Sequence, residues 1–466
     1  MNKADAEHVE AAESGKAHEV PSVVESLTAE HREYLLRRHG TSDLSTFPSM
    51  DDADPYNWPE WKKILNLAFV AFHAMMATFT AAAIQCAFVE ITKDLNVTVQ
   101  RASYLTSLVI AIISCANSPS YATMGLCRGI TGFSVCPGAT IGSGVVHDMF
   151  FKRDCARYMG VWTLMVTLGV PSTPFIFEFV VTKVRYRWIY WSLAIVNGVQ
   201  TVLYFFFGAE TLYTGARDEQ RKAKQPSFRD SVTIKRLDPR PLTLAEFVRP
   251  LSLAMRPCVL LPSIAYAMVF LCASILIAIE IPEIFPEKFG LDAEQLGLQN
   301  LAMIIYSGIG ELIGGRMSDR WMWYQQKMTK ENEESGKAPA PEYRLWLSYA
   351  GIAFVIAGVV VFLVQTESAS EHWNVTPLIG AAIAASGNQI VTTVNITYAV
   401  DCYPADEAAT GVFVNFVRQT WGFIGPFWFP KLLTAVGFNT ANRVIIALVV
   451  GVSAQEETIC VVPMIE

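Results

Sequence analysis

The sequence predicts an all-α polytopic membrane protein, and three observations carry that fold class. Of the 466 residues, 52% are hydrophobic and only 17% charged, although polar segments at the start and middle dilute the average. About ten stretches are strongly apolar, and Ile64–Ile91, Tyr121–Val146 and Met159–Thr182 hold the roughly 20 residues that a helix needs to cross about 30 Å of hydrocarbon. They are apolar all round, whereas a helix at the surface of a soluble protein keeps a polar face. Lys and Arg gather in alternate connections, as they do on the cytoplasmic side of membrane proteins. The net charge of −7 decides nothing about orientation, which follows Lys/Arg placement.

The elements follow in order. Residues 1–58 are acidic and poor in aromatics, which predicts a disordered cytoplasmic N-terminus with one short amphipathic helix at Ala29–Arg38. No apolar signal-peptide core is visible there, so the first span itself directs insertion. Trp58, Trp61, Lys62 and Lys63 suit an interfacial anchor on the cytoplasmic side. Residues 59–213 make an N-terminal helical bundle with spans at Ile64–Ile91, Tyr121–Val146, Met159–Thr182 and Trp188–Gly208, and a short apolar piece at Tyr104–Ala116. Residues 214–256 form a basic cytoplasmic loop. Residues 257–454 make a C-terminal bundle with spans near Cys258–Ile281, Leu298–Met317, Leu345–Val364, Val375–Val400, Gly411–Val436 and Val444–Ala454. The last is only about 16 Å long at helical rise, stopped by Gln455-Glu-Glu-Thr458, and residues 455–466 form a short tail.

The basic clusters at Lys62/Lys63, Lys152/Arg153/Arg157, the central loop and Arg316–Arg344 face the cytoplasm on this scheme; Lys183, Arg185 and Arg187 run against it. The sequons at Asn96 and Asn374 fall outside and are candidate glycosylation sites. The scheme exposes an anomaly. The first span runs outward and Tyr121–Val146 must run inward, so Tyr104–Ala116 has to begin and end outside. Its 13 or so residues reach roughly 20 Å as a helix, which does not cross even once. The piece is re-entrant, interfacial, or the remnant of a missing helical hairpin.

Particular segments then carry a resemblance. Asp54-Pro-Tyr-Asn-Trp-Pro59, Tyr186-Arg-Trp-Ile-Tyr-Trp191, Pro341-Glu-Tyr-Arg-Leu-Trp346 and Phe416-Val-Arg-Gln-Thr-Trp-Gly-Phe-Ile-Gly-Pro426 together resemble the major facilitator superfamily, and within it the fungal drug:proton antiporters. The resemblance spans about Asp54–Phe438. It implies a two-bundle fold, here incomplete in the N-terminal half, because the family's first cytoplasmic Gly-x-x-x-Asp-Arg motif is absent between Thr106 and Tyr121. The missing motif and the topological anomaly point to one hairpin, the second and third spans.

The resemblance also supplies candidate residues for transport and coupling. Arg128 and Gly132 look like the family's Arg-x-x-x-Gly motif; an Arg in hydrocarbon is costly and is paired, faces a wet cavity, or snorkels from a helix end. Gly160, Gly169, Pro171 and Pro174 resemble the antiporter motif of the fifth span, a pivot or a seal. Glu178 stands where the family has a small residue and is either a new polar site or a defect. Gly315, Asp319 and Arg320 resemble the C-terminal copy of the cytoplasmic motif, with Asp319 as a helix cap or an Arg partner that latches one conformation. Glu311 and Asp401 are candidate proton carriers, and His73 a candidate relay beside its plainer reading as a packing residue. Asn395, Asn415, Arg418 and Gln419 either line a cavity or hold helices together.

Scattered cysteines without a C-x-x-C pair read as packing residues. No phosphate-binding loop, metal-ligand cluster or catalytic triad is visible, so no enzyme activity and no cofactor or metal is expected. The resemblance implies proton-coupled export of a small toxic or secondary-metabolite compound, for example a fusaric-acid-like pyridine. The expected partners are that substrate, protons and the lipid bilayer, with no nucleic acid and no obligate protein partner. The plasma membrane is the implied location, a vacuolar or other internal membrane the alternative. The rival reading is a truncated transporter, or an incorrect gene model, that transports nothing.

Overall fold

The computed structural model describes residues 29–39, 48–52, 54–83, 120, 122–123, 125–127, 142–184, 186–209, 211, 244–331, 341–370, 372–403 and 407–465. Among them there is no strand. The principal helices are α1 (Ala29–His39), α2 (Glu60–Ala82), α3 (Lys152–Lys183), α4 (Arg187–Phe207), α5 (Leu244–Ser252), α6 (Pro257–Phe270), α7 (Leu276–Phe289), α8 (Ala293–Glu331), α9 (Leu345–Ser368), α10 (Thr376–Cys402) and α11 (Glu407–Ile465). Seven segments among the described residues are long and apolar enough to span a membrane. They correspond to α2, α3, α4, α6 with α7, α8, α9 and α11.

Helices α2, α3 and α4 pack together, and α6 to α11 form a second group. Small residues set the separations. On α9 and α10, Gly351 and Gly358 face Gly387 and Gly380: a side chain on Gly387 would meet Gly351 O at 2.6 Å, and one on Gly358 would meet Gly380 O at 2.7 Å. Each pair is seven residues apart, so two antiparallel helices touch twice, two turns apart, backbone to backbone. Gly169 does the same for α3 on α2, where an added Cβ would lie 2.6 Å from Met75 O and 2.8 Å from Phe79 N. Thr78 and Thr173 lock that contact by donating to Val166 O (2.8 Å) and Phe79 O (3.0 Å).

Helices α6 and α7 form one continuous rod joined by a π-helical turn at Leu271–Ile275. Gly290 ends the rod in the left-handed conformation (φ 63°), which a glycine C-cap adopts without a Cβ clash. Helix α11 is two helices meeting at Gly437 (φ 74°, ψ 165°).

Three elements differ from expectation. The final helix starts after Gly437 and its backbone runs on to Ile465, so Gln455-Glu-Glu-Thr458 does not end it. Charged residues are good helix formers, and polarity alone does not terminate a helix. Within residues 1–58, the part described is ordered, not disordered. The short helix expected at Ala29–Arg38 forms as α1, and beyond it Asp54 caps a 3₁₀ turn at Pro55–Asn57 by accepting from Tyr56 N (3.0 Å). Arg38 Nη2 donates to Asn57 O (2.8 Å), and Asn57 Nδ2 reaches Ser49 O and Asp51 O at 2.7 Å each, so short-range polar bonds hold a knot that composition did not reveal. Finally, the span expected to end at Met317 continues as α8 to Glu331, so Gly315, Asp319 and Arg320 lie inside a helix and Asp319 does not cap one.

The short piece Tyr104–Ala116, the proposed missing hairpin and the central stretch 214–243 lie outside the described residues.

Candidate functional site

The two groups of helices meet along α3 and α8, which run antiparallel. At one end Thr182 donates to Glu294 Oε1 (3.2 Å). Midway, a Cβ on Gly297 would lie 2.9 Å from Pro174 O. At the other end Gly160 faces Glu311, whose Oε1 occupies the space that a side chain at 160 would need. Proline at 171 and 174 lacks an N–H, so the carbonyls of Thr167 and Val170 lose their ordinary helical partners, yet α3 stays unbroken to Lys183.

Glu311 is the centre of this seam. It is 9% exposed. Its Oε2 accepts from Gln389 Nε2 and Thr393 Oγ1, both at 2.6 Å, on α10. Thr163 on α3 stands beside this cluster: its hydroxyl donates to Gly160 O (3.0 Å) and lies 3.4 Å from that of Thr393. One carboxyl thus joins α3, α8 and α10. A buried carboxylate is tolerated only when its lone pairs are satisfied, and short charge-assisted bonds do that here. Gln389 Oε1, by contrast, is buried and has no hydrogen-bond partner.

Helix α10 carries much of this chemistry. It is buried along most of its length and presents Ser386, Asn388, Gln389, Thr392, Thr393, Asn395 and Thr397, all buried. It is absent from the seven apolar segments for the same reason: its polar residues lower its hydropathy while protein, not lipid, surrounds it.

A second cluster sits where α8, α9 and α10 converge toward their predicted cytoplasmic ends. Arg344 stands 3.0 Å from Asp401 and 3.5 Å from Asp319, and donates to Ser318 Oγ (3.0 Å). The Asp401 contact is an ion pair without hydrogen-bond geometry at Nε. Asp319 and Asp401, 82 positions apart in sequence, therefore share one guanidinium. Arg320 points away and is exposed, and Gly314 and Gly310 face α10, where a Cβ on Gly310 would lie 2.5 Å from Ser386 O. Gly315 lies against Glu311, 3.1 Å from Oε1 to its would-be Cβ.

Arg418 on α11 is 1% exposed, and its Nε and Nη2 have no hydrogen-bond partner among the described residues. The guanidinium lies 4.8 Å from the centroid of the Phe270 ring on α6. A cation–π contact is worth about 0.5–2 kcal/mol. Leaving a buried charge without a counter-charge costs several kcal/mol. Phe270 alone does not offset the burial.

The other candidates scatter. Asp401 lies at the Arg344 cluster and away from the Glu311 seam. Glu178 is buried and lines a narrow cavity between α3, α7 and α8 with Pro174, Ala278, Ile281, Pro282, Leu296 and Asn300. His73 stays within the first group, its ring edge-on to Tyr204 at 6.0 Å. Gln419 is exposed. Asn374 is exposed just before α10, its Oδ1 accepting from Thr376 Oγ1 at 2.7 Å. Arg128, Gly132 and Asn96 lie outside the described residues. Arg344, Thr163, Gln389 and Thr393 were not singled out from sequence. The signal available was the density of Gln, Thr and Asn on one otherwise apolar helix.

Comparison with known proteins agrees with this architecture. The Major Facilitator Superfamily model matches residues 58–426. An MFS-type transporter of Penicillium rubens is 24% identical over 92% of this chain and 93% of its own. That alignment runs over 484 positions, more than the 466 residues present here, so the relative carries residues that this chain lacks. An efflux pump of Penicillium aethiopicum is 24% identical over 88% of this chain and 91% of its own. A multidrug transporter of Candida albicans is 24% identical over 86% and 71%.

Proposed function

The chain belongs to the major facilitator superfamily, and we propose that within it the protein is a secondary active exporter, moving a small toxic or secondary-metabolite compound outward in exchange for protons. It is a multi-pass membrane transporter and not an enzyme. The observation that carries the proposal is the buried Glu311 carboxyl at the join of α3, α8 and α10.

Proton exchange at that position changes the seam. Ionised Glu311 only accepts hydrogen bonds, which suits the amide of Gln389 and the hydroxyl of Thr393. Protonated Glu311 has one hydrogen to donate. Thr393 answers by rotating its hydroxyl, but Gln389 Nε2 is a donor and cannot accept. A flip of the Gln389 amide brings the unpartnered Oε1 round to take that hydrogen. The carboxyl is thus a two-state element between the helix groups, and protonation biases which pattern holds, as a rocking transporter requires.

The remaining candidates take supporting roles in this reading. Gly160, Gly169, Pro171 and Pro174 let α3 lie close to α8 and α2 and pivot there. Gly315 keeps room beside Glu311. Asp319, Asp401 and Arg344 hold the inner ends of α8, α9 and α10 together, and Arg320 adds positive charge on that side. Arg128 and Gly132 belong to the coupling path by their family resemblance. Relatives named as an efflux pump and a multidrug transporter support export as the direction, and a fusaric-acid-like pyridine is the kind of cargo proposed. The plasma membrane is the proposed location, with glycans at Asn96 and Asn374.

Accumulation of labelled fusaric acid in yeast lacking its own exporters tests the reading. Cells expressing the protein accumulate less than control cells, a protonophore abolishes the difference, and Glu311→Gln abolishes it without the protonophore. Equal accumulation with and without the protein overturns export and favours the truncated, non-transporting alternative.

A further inference from the structure

Among the described residues, Arg418 presents more positive charge to the protein interior than its neighbours answer. Nε and Nη2, the two unpartnered atoms, share one edge of the guanidinium, the edge that meets a carboxylate in two parallel bonds. Neither the apolar part of its own helix from Ala409 to Ala454, nor α6, nor the π-helical turn Leu271–Ile275 contains an Asp or Glu; the first on the same rod is Glu280 on α7, ten positions beyond Phe270. Helix α10 has one, Asp401, and Arg344 engages it.

The surroundings look built to present that edge. The ring of Phe270 lies against the guanidinium and immediately precedes the π-helical turn. Such turns interrupt the regular ladder and are frequent at functional sites. Gly422, one turn beyond Arg418, leaves room for the same ring, whose edge is 3.5 Å from the would-be Cβ. Gly425 next to it lets α11 lie directly on Ile275, 2.6 Å from its would-be Cβ. Glycines and a π turn thus fix a planar cation between two helices with its donor edge unspent.

We propose that Arg418, steadied by Phe270, is the recognition site for the anionic group of the cargo, so that the exported compound is an amphipathic organic acid carried as its carboxylate. This deepens and rests on the exporter reading above. It assigns a different residue and a different step from proton exchange at Glu311: binding of the carboxylate needs no gradient. A purely structural Arg held by a cation–π contact is the competing account, and it makes no distinction between a carboxylate and its neutral amide.

The test is equilibrium binding of fusarate, an alkylpyridine carboxylate, and of its neutral amide to the purified full chain in lipid nanodiscs, by calorimetry without a proton gradient. Wild-type protein binds the carboxylate about tenfold or more tightly than the amide, the ordinary worth of hydrogen bonds to a charged group. Arg418→Gln removes the preference while amide affinity stays, which also shows that the variant is folded. Arg418→Lys keeps the preference but weakens it, because an ammonium cannot form the paired contact. Should the Gln variant not fold, the Lys variant decides: undiminished preference overturns the proposal. So do equal affinities in wild type, no binding of fusarate, or a preference that survives in the Gln variant. Loss of efflux in Glu311→Gln with intact fusarate binding leaves the proposal standing. Intact proton-coupled efflux in Glu311→Gln overturns the coupling reading alone.

Discussion

Gly160 on α3 lies directly against the carboxyl of Glu311 on α8, whose Oε1 fills the space a side chain at 160 would need. The missing side chain lets a carboxylate of one helix group lie against the backbone of the other. The obstacle to an alanine here is the end of a flexible side chain, not backbone. Gly160→Ala should therefore leave folding almost intact but push Glu311 away from Gln389 and Thr393. The efflux rate should fall by about tenfold to a hundredfold, the ordinary cost of misplacing a functional group by an ångström. Initial rates from preloaded cells, beside a thermal melt of the purified variant, separate the two effects; an unchanged rate contradicts the role given to this contact.

Gly358→Ala should do the opposite. Its Cβ would press on backbone atoms of Ala384 and Gly380, which cannot rotate aside. Helices α9 and α10 must separate, at a cost of about 1–3 kcal/mol. Reversible denaturant unfolding in mixed micelles measures this. A variant as stable as wild type shows that the helices accommodate a methyl group by sliding.

Arg344→Ala strands Asp319 and Asp401 beside each other's helices. The two carboxylates are about a third exposed, at 34% and 31%, so water screens part of the loss. About 1–2 kcal/mol is expected, between surface and buried pairs. A double-mutant cycle with Asp319→Asn should show non-additive losses; strictly additive losses contradict the shared ion pair.

The docking of α1 should depend on pH. Burial lowers the His39 pKa below that of a free imidazole, with nearby Lys63 and Arg38 acting in the same direction, while its hydrogen bond to Asn57 and the Asp54 charge oppose them. The docked state therefore binds protons less readily than the undocked one. Docking is fully stabilised above the undocked value and weakens as pH falls below it. Amide exchange in α1, corrected for intrinsic rates, should be less protected at about pH 5.5 than at about pH 7.5, and His39→Gln should flatten the difference. Equal protection at both values rules the switch out.

The fold class was legible because membrane insertion is decided locally. Each span must satisfy its own backbone hydrogen bonds and present apolar side chains over a fixed length, and both requirements are written into about 20 consecutive residues. The boundaries of α4 and the start of α9 followed closely, whereas α2 begins four residues before the expected Ile64. The last helix was misjudged because Gln455-Glu-Glu-Thr458 reports where lipid ends and not where the helix ends. The ordered knot around Asn57 was missed because its bonds join residues that look unremarkable singly.

The site divided in the same way. Sequence by itself determined that carboxylates at 311, 319 and 401 and a guanidinium at 418 lie at or within spans, because an ionisable residue in an apolar run is conspicuous. Only the tertiary structure decided their company. Glu311 belongs with Gly160, Gln389 and Thr393, Asp319 and Asp401 share Arg344, and Arg418, among the described residues, has the face of Phe270. The reason is that burial sets the cost of a charge, but partners as far as 82 positions away decide whether that cost is met. Glycines at the helix contacts, which carry no chemistry, determine which of those partners come within reach.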